Sequence, residues 1–256
     1  AATDLQVTAD GLANEHLRVR LDPVSGTLSS LLLKATGWEA CSGPAAVPVV
    51  VNDWSDTWSH EVFRFAEDLG AIGAAQVEIV EEGPVRATLR ATSTWGGSTI
   101  TQEFSLSAGQ PYLDVRVTVD WREQLKLLKL QFPVNVTAPQ ATYEIQYGAF
   151  ARPTNGEEEP GLHWFDVTGQ TEGGAHGLTV LNDAKYSYDV LDSRMRLTVL
   201  RGAVYAHHMP KQLQPETERY HYLDQGFQEF RYRLLPHAGT WQAACAPQVG
   251  LDLNVP

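Results

Sequence analysis

Three absences narrow the function of this 256-residue sequence. Basic residues are scarce, because 19 Lys and Arg stand against 31 Asp and Glu and give a formal net charge of −12. A nucleic-acid partner is therefore not expected, since phosphate backbones are bound by concentrated Lys and Arg. No apolar run approaches the roughly 20 residues that span a bilayer, so no membrane partner is expected. Cysteine is limited to Cys41 and Cys245, which favours a reducing compartment such as the cytoplasm, although a disulfide between them stays possible.

Common catalytic signatures are also missing. The sequence has no Gly-x-Ser-x-Gly elbow, no glycine-rich phosphate or dinucleotide loop and no His-Glu-x-x-His motif. His207 and His208 are adjacent, so on a strand they would point to opposite faces and would not bind one ion together. Other histidines stand alone in the sequence, which favours packed side chains over metal ligands: His16, His163, His176 and His221. No metal site is predicted in this chain.

Alternating apolar and polar residues dominate what is present. Leu113, Val115, Val117 and Val119 alternate with polar neighbours, which is typical of a half-buried strand. Turn residues separate such runs at regular spacing, and a 3.6-residue period is almost absent. The strands predicted in this way cover residues 15–21, 27–33, 46–51, 76–82, 85–94, 98–106, 111–119, 125–134, 143–147, 163–167, 178–181, 195–200 and 228–235. We predict an all-β fold, a large antiparallel β-sandwich formed as a single domain over residues 1–256.

Residues 52–65 carry the densest chemistry of the chain. They follow an apolar strand and hold four titratable side chains and two tryptophans: Asp53, Asp56, His60, Glu61, Trp54 and Trp58. Tryptophan with Asp and Asn is the usual chemistry of sugar binding, because a ring packs on the C–H face of a pyranose while carboxylates and amides bind its hydroxyls. A structural loop whose tryptophans plug one end of the sandwich is an equally good interpretation.

Residues 152–161 combine proline, glycine and three successive glutamates. The carboxylates of Glu157, Glu158 and Glu159 repel one another and require solvent, a cation or a positive partner. The composition favours a solvated polar loop over a metal site. After residue 246 the sequence shows no pattern.

Seven blocks occur in one order over essentially the whole chain. Together they resemble the C-terminal β-sandwich region of bacterial glycoside hydrolase family 38, the α-mannosidases. The blocks are residues 12–19 (LANEHLRV), 55–60 (SDTWSH), 119–123 (VDWRE), 152–161 (RPTNGEEEPG), 180–186 (VLNDAKY), 205–208 (YAHH) and 234–237 (LLPH). Each block alone is weak, but the set is specific.

The resemblance implies a sandwich of the galactose-mutarotase-like supersandwich type. In the family, the zinc ligands and the catalytic nucleophile belong to an N-terminal α/β barrel that has no counterpart in these residues. The resemblance therefore places zinc in the full-length family and implies no cofactor in this chain. It also implies carbohydrate as a partner, together with a separate catalytic barrel chain or a homo-oligomer formed through the exposed docking face.

Candidate site residues follow from the two loops that would border a sugar site and from the glutamate-rich stretch. The catalytic candidates are Asp53, Asp56, Glu61 and Asp183. The substrate-binding candidates are Trp54, Trp58, His60, Arg152, Asn155, Glu158, Asn182, Lys185 and Tyr186. Their expected role is to line a site that the sandwich scaffolds.

Two other functions remain open for the isolated chain. A stand-alone, metal-independent glycosidase would need two carboxyls roughly 5–5.5 Å or 6.5–9.5 Å apart. A mutarotase-like enzyme would pair a carboxylate with a general-acid histidine such as His60, His163 or His176, and a purely carbohydrate-binding module would need the aromatics and amides alone.

Overall fold

A computed structural model describes residues 4–73, 75–206 and 220–255. These residues form three antiparallel sheets and confirm the predicted all-β sandwich. The strands are β1 (Gln6–Thr8), β2 (Gly11–Ala13), β3 (Leu17–Leu21), β4 (Leu28–Leu33), β5 (Trp38–Glu39), β6 (Val47–Asn52), β7 (Asp68–Ala71), β8 (Gln76–Glu82), β9 (Arg86–Trp95), β10 (Ser98–Ser107), β11 (Leu113–Trp121), β12 (Lys126–Pro133), β13 (Thr137–Ile145), β14 (Gly148–Arg152), β15 (Asn155–Pro160), β16 (Trp164–Thr171), β17 (Gly174–Asn182), β18 (Ser187–Leu191), β19 (Arg194–Arg201) and β20 (Gly226–Ala238). The predicted orientation of His207 and His208 lies outside the described residues.

The three sheets differ in how far apart their adjacent strands lie along the chain. The five-stranded sheet follows chain order, β1-β2-β3-β4-β5. The nine-stranded sheet has the order β14-β13-β16-β17-β20-β11-β10-β9-β8, and the six-stranded sheet has the order β15-β18-β19-β12-β6-β7. Strand β20 is thirteen residues long and lies between β17 and β11, so it joins two parts of the nine-stranded sheet.

Burial follows the alternation that the sequence shows. Leu113, Val115, Val117 and Val119 of β11 are all buried in the main core, which gathers residues from all three sheets. Strand β6 is apolar from Val47 to Val51, and both of its faces are covered over these residues. Its Val50 belongs to the main core, while its other valines pack in a second cluster on the opposite face of the six-stranded sheet. We call this opposite face the outer face.

The predicted solvated loop over residues 152–161 is wrong. Residues Asn155–Pro160 form β15, the edge strand of the six-stranded sheet, paired with β18. Positive partners replace solvent, because Glu157 lies 3.7 Å from Arg64 and Glu159 lies 2.5 Å from Arg152, while Glu158 pairs with Lys129. Arg64, Lys129 and Arg152 thus offset the repulsion among the glutamates.

The C-terminal region also departs from expectation. Residues Ala246–Asn254, for which the sequence showed no pattern, form helix α1, which packs on Trp164 and Leu181 of the nine-stranded sheet. In the described ranges no helix is long and apolar enough to cross a membrane. The two cysteines are both free: Cys41 is buried, which raises the pKa of its thiol well above the usual range, and Cys245 is exposed.

Candidate functional site

The connection between β6 and β7, residues 53–67, lies across the outer face of the six-stranded sheet. Its Phe65 and Val62 pack on an apolar cluster formed by Val47, Val49, Val51 and Leu127. The carbonyl oxygen of Phe63 accepts a hydrogen bond of 2.8 Å from the backbone of Glu158 at the opposite edge of the sheet. The region that the sequence predicted as a functional loop is therefore a cover that spans most of this face.

Arg201 of β19 anchors the β6–β7 connection. Its guanidinium donates from Nε to Asp53 Oδ2 at 2.8 Å and from Nη2 to Asp53 Oδ1 at 3.0 Å. The same group also donates to the hydroxyls of Ser55 and Ser59 at 2.5 Å each, and it lies 4.9 Å from the centre of the Phe65 ring. Asp53 is fully buried, so both of its oxygens serve to hold the connection on the sheet. Sequence reasoning missed Arg201, which is 148 positions from Asp53 along the chain.

Asp56 and His60 form a second contact within the connection. His60 Nδ1 lies 2.6 Å from Asp56 Oδ2, and the His60 backbone donates to Asp56 Oδ1 at 3.1 Å. Burial opposes the charge of Asp56, but the hydrogen bonds from His60 outweigh it and hold the pKa of the carboxyl below its usual range. His60 itself is 61% exposed. Glu61 is exposed and adopts a left-handed backbone with φ of 61°.

The two tryptophans of the connection present their rings outward. Trp54 is 42% exposed and Trp58 is 50% exposed. The Trp58 ring centre lies 6.0 Å from that of His60. Because the backbone below them is fixed by Arg201 and Phe65, these rings form a supported aromatic surface.

A buried ionic cluster lies beneath the connection. Lys129 is fully buried, and its Nζ contacts Glu158 and lies 2.5 Å from Asp189 Oδ2. Arg196 donates from Nε to Asp189 at 2.9 Å and from Nη2 to the carbonyl oxygen of Phe65 at 3.1 Å. Burial opposes ionisation of Glu158, but the positive charge of Lys129 outweighs it and lowers the pKa of this carboxyl. Glu158, a predicted substrate-binding residue, is thus a member of this cluster.

Two further candidates lie near the β14–β15 turn. Arg152 donates to Glu159 Oε2 at 2.5 Å, and its guanidinium lies 5.6 Å from the centre of the Tyr143 ring. Asn155 Oδ1 accepts a hydrogen bond of 3.0 Å from the backbone of Glu157. Asn155 thus holds the start of β15, and Arg152 holds its end.

The remaining candidates occupy the loop that follows β17. Asn182 is fully buried and its Oδ1 accepts from the backbone of Lys185 at 2.5 Å, which closes a tight turn. Lys185 donates to Gln228 Oε1 at 3.1 Å, and burial lowers the pKa of its ammonium group. Tyr186 at the tip is half exposed.

Asp183 of this loop faces a different part of the molecule. Its carboxylate accepts from the backbone and Nε of Arg231 at 2.8 Å and 3.1 Å. It lines a groove of about 970 Å³ on the nine-stranded sheet, together with Arg116 and Glu229, which pair at 2.7 Å. Asp183 therefore lies on the nine-stranded sheet, whereas Asp53 lies in the connection that covers the six-stranded sheet. The predicted catalytic carboxylates are thus split between two sheets.

No cluster of three or more His, Cys, Asp or Glu side chains suitable for a metal ion is found in the described part of the chain. Lys129 and Arg196 instead pair with Glu158 and Asp189. These two carboxylates are therefore balanced by cations of the protein itself.

Comparison with known proteins assigns this arrangement to a family. The model of the Glycosyl hydrolases family 38 C-terminal domain matches residues 12–211. The chain belongs to glycosyl hydrolase family 38. Human alpha-mannosidase 2C1 is 35% identical to it over a 277-residue alignment that covers 99% of this chain and 24% of the human protein. The family 38 chain thus spans about a quarter of the length of this relative.

Solved structures give the same fold. An alpha-mannosidase from Enterococcus faecalis superposes with a TM-score of 0.78 at 16% identity, over 98% of this family 38 chain and 32% of that one. A putative aldose 1-epimerase from Klebsiella pneumoniae superposes with a TM-score of 0.52 at 11% identity, over 95% and 83% of the two chains. These likenesses confirm the predicted galactose-mutarotase-like supersandwich.

Proposed function

We propose that this chain is the sandwich region of an α-mannosidase-like glycoside hydrolase, where it scaffolds a catalytic region and borders its sugar site. Its relative alpha-mannosidase 2C1 aligns over 99% of the chain but extends well beyond it. On this proposal the catalytic groups come from a further region, either on the same polypeptide or on a separate chain. Carbohydrate is then the ligand at the boundary between the two regions.

The geometry of the β6–β7 connection is the main support for this proposal. A sugar-site wall needs aromatic faces on a backbone that does not move when the ligand binds. Trp54 and Trp58 provide half-exposed rings, and Arg201 and Phe65 fix the backbone beneath them. The loop with Lys185 and Tyr186 is the second candidate border, because it is similarly fixed by a buried residue, Asn182.

Stand-alone hydrolysis has less support from the same geometry. A carboxylate pair must flank one glycosidic bond. Asp53 is fully buried against Arg201, and Asp56 is 3% exposed and bonded to His60. Asp183 pairs with Arg231 on the nine-stranded sheet. These acids are engaged as anchors, which favours a supporting role for the chain.

The mutarotase-like alternative has less support from its candidate histidines. His60 is exposed and lies 2.6 Å from Asp56, but Asp56 is 3% exposed, which leaves this carboxylate little access to a sugar ring. His176 is buried and packs on Trp38 with ring centres 4.8 Å apart, and His163 lies 3.2 Å from Glu144. Both histidines are engaged in packing or pairing, as their isolation in the sequence suggested.

The test is hydrolysis of a panel of nitrophenyl glycosides by the purified chain, with zinc and with chelator, beside Asp56→Asn and Asp183→Asn. We expect no turnover by the chain alone. We expect turnover of an α-mannoside when the catalytic region of a family 38 enzyme is co-expressed with it, and loss of that turnover in chelator. Chelator-resistant turnover by the chain alone that disappears in either variant would overturn the scaffold role.

A further inference from the structure

A small cavity opens beside the Trp54 ring, where the two ends of the β6–β7 connection meet at Asn52 and Glu67. We call this meeting point the neck. The volume of the cavity is about 170 Å³. Ligand sites for drug-sized molecules occupy roughly 300–1,000 Å³, so this cavity has room for one small ring rather than a chain of them. The lining residues are Asn52, Trp54, Ser55, Val62, Arg64, Phe65, Ala66 and Glu67.

The neck is rigid where its polar groups lie. Asn52 ends β6, and its backbone N–H donates to the carbonyl oxygen of Glu67 at 2.9 Å. The Asn52 side chain donates to Glu67 Oε2 at 2.8 Å, so both polar groups are positioned before any ligand binds. Phe65 is 6% exposed and its carbonyl oxygen is held by Arg196 at 3.1 Å. A preformed site of this kind loses little conformational entropy on binding.

The cavity is lined by charges of both signs. Arg64 is 53% exposed, lies 3.7 Å from Glu157 and contributes a cation, while Glu67, three positions along the chain, contributes an anion. A ligand of either charge would be attracted by one of these groups and repelled by the other, so neither sign of charge is favoured. A hydroxyl group suits both, because it donates to a carboxylate and accepts from a guanidinium.

Apart from Ser55, the remaining lining side chains are apolar. Trp54 offers a ring that is 42% exposed, and Val62 and Phe65 line the cavity from the cluster beneath. A ligand that fills this space therefore has one apolar face and a rim of hydroxyls. A pyranose ring has this character, since its axial C–H bonds form an apolar face and its hydroxyls point outward.

We infer that the cavity beside Trp54 is a subsite for one neutral hexose unit, with Asn52, Arg64 and Glu67 binding its hydroxyls. This inference rests on the proposed function, because it names the groups through which the chain would contact sugar. It assigns a binding role to three residues that are not among the predicted catalytic or substrate-binding candidates. On this inference Trp54 contacts the ligand, whereas its chain neighbour Asp53 anchors the connection to the sheet.

The test is an NMR titration of the full 256-residue chain with methyl α-mannopyranoside, following the indole N–H signals and the backbone signals of residues 52–67 and 182–186. We expect a Kd of about 1 mM, as befits a monosaccharide. Trp54→Ala should weaken binding about tenfold through loss of the aromatic face, and Trp54→Phe should retain most of it. Glu67→Gln should weaken binding about tenfold, since a charged hydrogen-bond acceptor is lost.

The matched control is Phe63→Ala, which removes another exposed aromatic of the same connection that does not line the cavity. It should leave Kd unchanged. Mannose 6-phosphate is the ionic probe and should bind more weakly than the neutral glycoside. Unchanged binding in Trp54→Ala, or tighter binding of the phosphate, would overturn the inference.

Failure here is distinguishable from failure of the scaffold role. If the hexose binds but perturbs the signals of Lys185 and Tyr186 instead, the chain still borders a sugar site and the cavity is not its subsite. If no hexose binds to the chain while co-expression restores α-mannosidase activity, the scaffold role stands and this inference falls.

Discussion

Replacing Lys129 by methionine would expose the role of the buried ionic cluster. Methionine keeps much of the length of the side chain and removes its charge. Asp189 would keep Arg196, which donates to it at 2.9 Å. Glu158 would lose its cation and keep two hydroxyl donors, Ser187 at 2.7 Å and Thr198. The variant therefore leaves one buried carboxylate without a balancing charge.

The expected loss of stability is large because Lys129 is fully buried. Removing one partner of a buried ion pair costs about 3–5 kcal/mol, since the other charge stays in a medium that solvates it poorly. That is a large part of the roughly 5–15 kcal/mol by which proteins of this kind are stable. For a chain of this length it corresponds to a fall in Tm of roughly 6–20 °C.

The pH dependence gives the prediction its sign. In the unaltered protein the pKa of Glu158 is lowered, so its contribution to stability is present above the usual carboxyl range and is lost as pH falls through the folded-state pKa. Without Lys129, burial is opposed only by the hydroxyls of Ser187 and Thr198, and it should raise the pKa of Glu158 instead. The destabilisation of the variant should therefore shrink as the solution is acidified.

Urea unfolding at about pH 7 and about pH 4 measures both effects. Lys126→Met is the matched control, because Lys126 lies on the same strand and its Nζ contacts the carbonyl oxygen of Gln124 at an exposed position. Adding Glu158→Gln to Lys129→Met should recover part of the loss at neutral pH. A loss below about 1 kcal/mol, or one that is equal at both pH values, would refute this account of the cluster.

Two further predictions concern other arginine contacts. Arg201→Gln should raise the rate of amide hydrogen exchange over residues 53–60 by at least about tenfold, because it removes the donors that hold Asp53 and Ser55. Exchange is measured by mass spectrometry, and a slower or unchanged rate would contradict the anchoring role. Arg116→Ala should lower the free energy of unfolding by less than about 1 kcal/mol, because Arg116 is half exposed and solvent screens its ion pairs. Thermal unfolding measures the loss, and a value above about 2 kcal/mol would contradict the expected screening.

The fold was predictable because its signal is local. Strand β11 alternates residue by residue, and its buried set of Leu113, Val115, Val117 and Val119 can be read without knowledge of its neighbours. Helix α1 escaped prediction because nine residues with Pro247 and Gly250 carry too little periodicity to show a face.

Long-range charge pairing explains the error over residues 152–161. The repulsion among the glutamates was evident, and a positive partner was one of the possibilities it raised. The partner of Glu158 is Lys129, which lies 29 positions away on a strand whose pattern, Leu-Lys-Leu-Leu-Lys-Leu, gave no indication that the lysine is fully buried. Sequence periodicity reports which side a residue takes, and it does not report which charges meet there.

The candidate site shows the same division. Composition identified residues 52–65, and the structure places them as one connection over the outer face. Composition alone did not distinguish the side chains that anchor this connection from those that are exposed. Asp53 is chemically equal to any other aspartate in the sequence, and its burial depends on Arg201, which joins the face from a strand far along the chain.

The central place of β20 has a consequence for synthesis of the chain. Its thirteen residues pair with β11 on one side and with β17 on the other, although they follow both along the chain by many positions. As the chain leaves the ribosome, the strands β8 to β11 and the strands β13, β14, β16 and β17 can each begin to pair, but each group presents an unpaired inner edge until residues 226–238 emerge. Unpaired edges of this kind attract other strands. Expression of this chain should therefore depend on chaperones that shield those edges, and ribosome-bound chains that stop before residue 226 should be the form that aggregates.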